Sequence, residues 1–254
     1  MKIIKVERYL ELEANMILSL KSLNKVSQYT LLYSIIHTFK SLDYQLYKYN
    51  GYDSYSCKSG EYNQYEDLQR GYITIYKHKL NDLPKRLKNK TFYNATMLEL
   101  YELFENGDLI IEFENGSVAE LFDEFIYDDD KCIFKFNNKI IPLIKNQLNE
   151  RYCQICLGII KNFKSINAVR LFEMISLSKN INGKIVKTCD YVATIMEKEN
   201  VSMGQLNRAL SGVIDDINKN IDIGLSFEYD RYAKEYIFKY DTWKYKKTNK
   251  NEEL

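Results

Sequence analysis

The feature that most constrains how this chain folds is a change of hydrophobic period between residues 165 and 240. In SINAVRLFEMI, Ala168, Leu171, Phe172 and Ile175 recur at i, i+3, i+4 and i+7, which places them on one helix face. A short helical segment, CDYVATIM, follows. In MGQLNRALSGVIDDINKN, Leu206, Ala209, Leu210, Val213 and Ile217 then form a second apolar stripe. From Ile221 the period becomes two: Ile221, Ile223, Leu225, Phe227 and Tyr229 share one face of a strand. After a polar turn, Tyr236, Phe238 and Tyr240 repeat the pattern. Three helices closed by a β-hairpin describe a winged helix, a fold that usually holds DNA.

The first half of the chain repeats that order. A strand is expected at 72–76, a helix around 80–87 and another over 91–105, stopped by Asn106-Gly107. Strands over 108–114 and 118–127 flank Asn115-Gly116, a strong hairpin turn, and a third strand at 133–136 follows the acidic run 128–130. The expected fold is therefore α+β, with two tandem winged-helix domains at 1–148 and 149–242 and a basic, flexible tail at 243–254. Residues 1–25 read as a helical lead-in, 27–42 as an apolar helix, and 46–71, rich in Tyr, Ser, Asn and Gly, as a loose connection. A further helix is expected over 152–163.

Composition removes other classes of function. No apolar run approaches the ~20 residues that cross a bilayer. Charges interrupt MKIIKVERYLELEAN too early for a signal peptide, so a cytoplasmic protein without membrane contact is expected. Heavy use of Lys, Asn, Ile, Tyr and Phe reads as the codon footprint of an AT-rich bacterial genome, which makes the sequons at Asn89, Asn94 and Asn115 chance matches. The five cysteines, Cys57, Cys132, Cys153, Cys156 and Cys189, are scattered rather than paired. Cys153-Gln-Ile-Cys156 has no second pair and no neighbouring His, so two small apolar-helix residues are expected, not a metal site. His37 and His78 lie far apart, no glycine-rich phosphate loop exists, and Asp215-Asp216 reads as solvated surface. An enzyme is not expected, nor a cofactor.

The net charge of +1 argues mildly against a nucleic-acid partner, but its distribution is uneven. Residues 1–150 carry 19 basic and 22 acidic side chains, and residues 151–254 carry 17 and 13. A local patch, not the total, is what binds phosphate.

Specific words add to the pattern. AVRLFEMI, a helix ending VIDDIN, and strands DIGLSFEY and YIFKY together resemble the C-terminal domain of iteron-binding plasmid replication initiators. The stretch from YITIYKHKL to NNKIIPLI is similar to that family's first winged helix. The resemblance implies a non-enzymatic protein that binds directly repeated sites in double-stranded DNA and helps open an origin. It also implies recruitment of the host initiator and helicase, and a dimer that represses its own gene through an inverted repeat. A winged-helix transcription regulator and a winged-helix protein-interaction module remain alternatives.

The third helix of such a domain lies in the major groove with its first residues at the base edges. Gln205, Arg208 and Ser211 lie opposite the apolar stripe, with Asn207 at its margin. Arg suits guanine, and Asn or Gln suits adenine. Where the family usually carries two or three basic residues, this chain has Leu206-Asn207-Arg208, of which only Arg208 is basic. Arg231 and Lys234 at the hairpin tip are candidate phosphate or minor-groove contacts, and Lys164 and Ser165 are candidates to present backbone N–H groups to a phosphate. In the first domain Lys77, His78, Lys79, Lys85, Arg86, Lys88 and Lys90 form the densest basic cluster, a candidate DNA-backbone contact.

Overall fold

The computed structural model describes residues 2–6, 10–13, 22–50, 70–76, 85–113, 115–127, 131–144, 152–178 and 183–247. They form two compact units, Leu10–Tyr152 and Met1–Tyr9 with Cys153–Leu254. The chain begins with two short strands, β1 (Lys2–Val6) and β2 (Leu10–Glu13).

The Leu10–Tyr152 unit is built from α1 (Val26–Asn50), β3 (Tyr72–Tyr76), a 3-10 turn at Lys85–Lys88 and α2 (Lys90–Glu105). Strands β4 (Ile110–Glu112), β5 (Val118–Glu120), β6 (Phe122–Tyr127) and β7 (Lys131–Phe136) follow, then a single helical turn, α3 (Ile141–Ile144). Tyr29, Leu32, Tyr33, Ile36 and Phe39 of α1 are buried. Phe39 meets Phe136 at a centroid distance of 4.7 Å, and Phe122, Phe125 and Phe134 complete an aromatic core. Helix α2 starts where Asn89 Oδ1 accepts from Thr91 N (2.9 Å) and Phe92 N (3.4 Å). It stops as expected: Gly107, at φ 71°, donates to Phe104 O and Asp108 N donates to Leu103 O, the paired bonds of a Schellman cap.

The hairpin at Asn115-Gly116 forms as the sequence indicates, with Asn115 Oδ1 accepting from Ser117 N at 3.0 Å. It is shorter than expected. Buried Leu121 donates its N–H to Leu109 O (2.7 Å) but its carbonyl accepts from Asn137 N (3.2 Å), so the chain passes there from one sheet into another. Beyond it β6 pairs with β7 rather than with β4, and the sheet order is β3-β7-β6.

The second unit repeats this plan after β8 (Tyr152–Ile155) and the short α4 (Leu157–Ile160). Its elements are α5 (Ile166–Ser178), β9 (Lys184–Thr188), α6 (Cys189–Ile195), α7 (Met203–Asn220), β10 (Ser226–Asp230), β11 (Glu235–Lys239) and β12 (Trp243–Lys247). The sheet order β10-β11-β9 matches β6-β7-β3: in each unit the strand before the helical pair joins the second strand of the closing hairpin, antiparallel. Both units are winged helices, as expected.

The sequence words that stood out have structural jobs. Arg170 of AVRLFEMI pairs with Glu197 Oε1 at 2.6 Å, and Asn167 Nδ2 donates to Met196 O at 3.1 Å, so α5 holds the connection between α6 and α7. In VIDDIN, Asn218 both accepts from Leu225 N and donates to Leu225 O, each at 2.8 Å, and so fixes where α7 hands over to β10.

Five expectations need correction. Residues 2–6 and 10–13 are strands, not a helical lead-in, and β1 pairs with β12 in parallel. Its KIIKV run is rich in the β-branched residues that suit a strand. Trp243–Lys247 is that partner strand and not a flexible tail, because Trp243 is 0% exposed and stacks on Phe172 at 6.0 Å. The helix expected over 152–163 is a strand followed by one helical turn, since the nearly continuous apolar run there carries no period that separates the two states. Pairing in the last hairpin begins at Ser226, not Ile221: Gly224, at φ 59°, breaks the extended run, although Ile221, Ile223 and Leu225 are buried. The connection expected over 46–71 is helical to Asn50, and 51–69 lie outside the described residues. No helix among the described residues is long and apolar enough to cross a membrane.

Candidate nucleic-acid interface

Helix α7 is anchored at its start by a capping box. Gln205 N donates to Ser202 Oγ (3.4 Å) while Gln205 Oε1 accepts from Ser202 N and Oγ, each at 3.0 Å. Leu206, Leu210, Val213, Ile214 and Ile217 are buried, leaving Gly204, Gln205, Arg208, Ser211, Gly212, Asp215 and Lys219 exposed on the other side. A Cβ built on Gly204 or Gly212 would meet nothing within 4 Å, so neither glycine is required by packing inside the chain. The outer face is shallow, with Arg208 as the long cation of its first half and Lys219 in its last turn.

The four expected readers differ in state. Arg208 is exposed, and no hydrogen bond or ion pair engages it among the described residues. Ser211 Oγ donates back to Asn207 O at 3.0 Å. Asn207 is half-buried, and its Oδ1 accepts from the Tyr236 hydroxyl at 2.6 Å. Burial pushes the Tyr236 phenol up to about 12, with Cys189 and Tyr229 nearby adding to the rise, so it stays protonated and donating at neutral pH. Tyr236 is itself packed between Phe227, Tyr229 and Phe238 of the hairpin. One hydrogen bond therefore joins the candidate reading helix to the wing.

At the start of α5 the structure departs from expectation. The Lys164 N–H donates to Asp216 Oδ2 at 2.7 Å and is not open to a phosphate. Ser165 Oγ accepts from Ala168 N (3.2 Å) as a helix cap. Asp216, expected as solvated surface, is buried, with its other oxygen accepting from Asn220 Nδ2 at 3.2 Å. The Lys164 side chain remains exposed.

The wing turns at residues 231–234, held by Asp230 Oδ1, which accepts from Tyr232 N (2.8 Å) and Ala233 N (3.1 Å). Lys234 takes φ 54° there, and its carbonyl accepts from Cys189 N at the start of α6 (2.9 Å). Arg231 and Lys234 are both exposed, and between them Tyr232 is 102% exposed. Sequence reasoning passed over that tyrosine. A full-size aromatic at the tip of a turn between two cations was the available signal.

In the first unit, Lys77, His78 and Lys79 and the side chains of Lys85 and Arg86 lie outside the described residues. Lys88 and Lys90 are exposed at the start of α2. The outward face of α2 differs in chemistry from that of α7: Phe92 is 42% and Leu98 47% exposed, with Ala95 between them and Glu102 beyond. Cys156 is buried at the N-cap position of α4 without a side-chain capping bond, the Cys153 side chain is outside the described residues, and no cluster of potential metal ligands occurs among those described.

Residues 54–176 match the model of the family described as "Initiator Replication protein, WH1". Among solved structures the chain is similar to one titled "Crystal structure of Pi initiator protein in complex with iteron DNA", with a TM-score of 0.63 and 14% identity, covering 93% of this chain and 98% of that one. No curated protein matches.

Proposed function

We propose that this chain is a plasmid replication initiator of the initiator replication protein family, binding repeated double-stranded DNA sites at an origin; the match of residues 54–176 to that family's model supports this reading. The observation that carries this reading is the exposed, uncommitted Arg208 on a shallow helix face beside a wing tipped by Arg231, Tyr232 and Lys234. In this reading α7 enters the major groove, Arg208 contacts a guanine edge, and the wing follows the adjacent backbone. Tyr232 rests against the sugar-phosphate rim or the minor groove. Gly204 and Gly212 allow the helix to approach closely. Lys88 and Lys90, with Lys85 and Arg86 beside them, supply phosphate contacts from the first unit and add affinity without sequence preference.

Origin opening, recruitment of the host initiator and helicase, and repression of its own gene as a dimer on an inverted repeat are further parts of the proposal. Exposed Phe92 and Leu98 support self-association or partner docking through the first unit, since two large apolar side chains on the outward side of one helix are costly to leave in water. The protein would act in the bacterial cytoplasm, where plasmid DNA lies. The test is a replicon whose sole origin is the DNA flanking this gene. It should be maintained with the wild-type gene and lost with Arg208→Ala. Maintenance of neither, with tight binding to that DNA intact, would favour a transcription regulator.

A further inference from the structure

Both amide side chains at the start of α7 have their oxygen already engaged. Gln205 Oε1 accepts from the Ser202 backbone N–H and hydroxyl, each at 3.0 Å. A backbone N–H only donates, so the oxygen must face the cap and the Nε2 amine is the end left outward. Asn207 Oδ1 accepts from Tyr236 at 2.6 Å, which leaves its Nδ2 amine. Arg208 carries donors only, and Ser211 spends its proton on Asn207 O.

Reading adenine with Asn or Gln requires both ends of the amide: the amine donates to N7 and the oxygen accepts from the N6 amine. Neither amide here offers both. Turning the Asn207 oxygen toward a base would leave the hydroxyl of fully buried Tyr236 without that acceptor. We propose that the start of α7 is a donor surface that favours guanine, whose O6 and N7 both accept, and thymine O4 over adenine, whose N6 amine finds no acceptor there, and that Tyr236 sets this selectivity by holding the Asn207 oxygen. The inference rests on the reading of α7 as the DNA-contacting helix. It assigns a specificity role to a buried wing residue that touches no base.

The experiment is selection from a duplex pool with a randomised centre, using the full chain as wild type, Asn207→Ala, Asn207→Asp and Tyr236→Phe. Asn207→Ala should relax one position, and the wild type should prefer guanine or thymine there. Tyr236→Phe frees the oxygen, so adenine at that position should rise by about tenfold relative to wild type, with the other positions unchanged. Asn207→Asp keeps the Tyr236 bond and replaces the outward amine by an oxygen. It should move the preference to cytosine, whose N4 amine donates, and it provides the decision if Tyr236→Phe does not fold. A wild-type preference for adenine at the position that Asn207→Ala relaxes would overturn the inference while leaving DNA reading by α7 intact. An Asn207→Ala pool identical to the wild-type pool, or an unchanged guanine preference with Asn207→Asp, would overturn it as well. If the wild type selects no sequence at all, the reading of α7 falls and the inference falls with it.

Discussion

Arg208 and Tyr232 are the side chains on which the functional reading turns, and they should fail differently. Arg208→Ala should cost about 1–3 kcal/mol on the preferred site and relax one base position, whereas Lys88→Ala should weaken all duplexes alike and lower the salt dependence. Binding titrations on matched and mismatched duplexes separate the two. Tyr232→Ala should leave the melting temperature unchanged, because the ring is fully exposed, yet weaken binding several-fold; an unchanged affinity would remove the wing tip from the interface. Arg208 was legible in the sequence because exposure of a long cation opposite an apolar stripe follows from helix geometry, and Arg231 and Lys234 because a polar turn between two alternating strands falls at a hairpin tip. The commitments of Gln205 and Lys164 were less visible. The Ser202-x-x-Gln205 signature of a capping box was present to be read, but the Lys164 N–H is taken by Asp216, 52 residues away, and the Asn207 oxygen by Tyr236, 29 residues away. No local pattern announces such long-range partners.

Among the elements, those with a strong period or a strong stop signal were found where expected: α2 with its Asn106-Gly107 end, α7 with Leu206, Leu210, Val213 and Ile217 of its stripe buried, and the strand Glu235–Lys239. Strand β9 was not foreseen, although Ile185 and Val186 follow an Asn-Gly pair in the sequence, because five residues between two helical segments give too short a window for periodicity. Strand β12 was misread for a different reason. Its basic WKYKK composition resembles a solvated tail, and its structure depends on β1 at the opposite end of the chain and on the pocket against Phe172 and Tyr240. Trp243→Ala should therefore destabilise the second unit by about 3–5 kcal/mol, as for other buried aromatic truncations. Urea denaturation followed by circular dichroism measures this. A loss below about 0.5 kcal/mol would mean that β12 is not part of the core.

At the scale of the whole molecule, two winged helices of the same sheet order carry different outward helix faces, cationic and shallow on α7 and apolar with acids on α2. That contrast argues for a division of labour, with sequence reading by the second unit and phosphate contact and association by the first. A monomer–dimer equilibrium that depends on concentration should follow, with a single repeat favouring the monomer and an inverted repeat the dimer. Sedimentation with and without one repeat decides it. A dimer that stays intact on one repeat, or a monomer at every concentration, would refute this division.

The account's central claim is sequence-specific binding to repeated DNA through charged contacts. Its most direct test is the affinity of the purified chain for repeats beside its own gene, against scrambled duplexes of equal length, across a salt series. The account predicts a preference of about a thousandfold or more at physiological salt, with log K falling by roughly 0.9 for each phosphate neutralised as log[salt] rises. Equal affinity for repeat and scrambled duplex from a folded sample would contradict it.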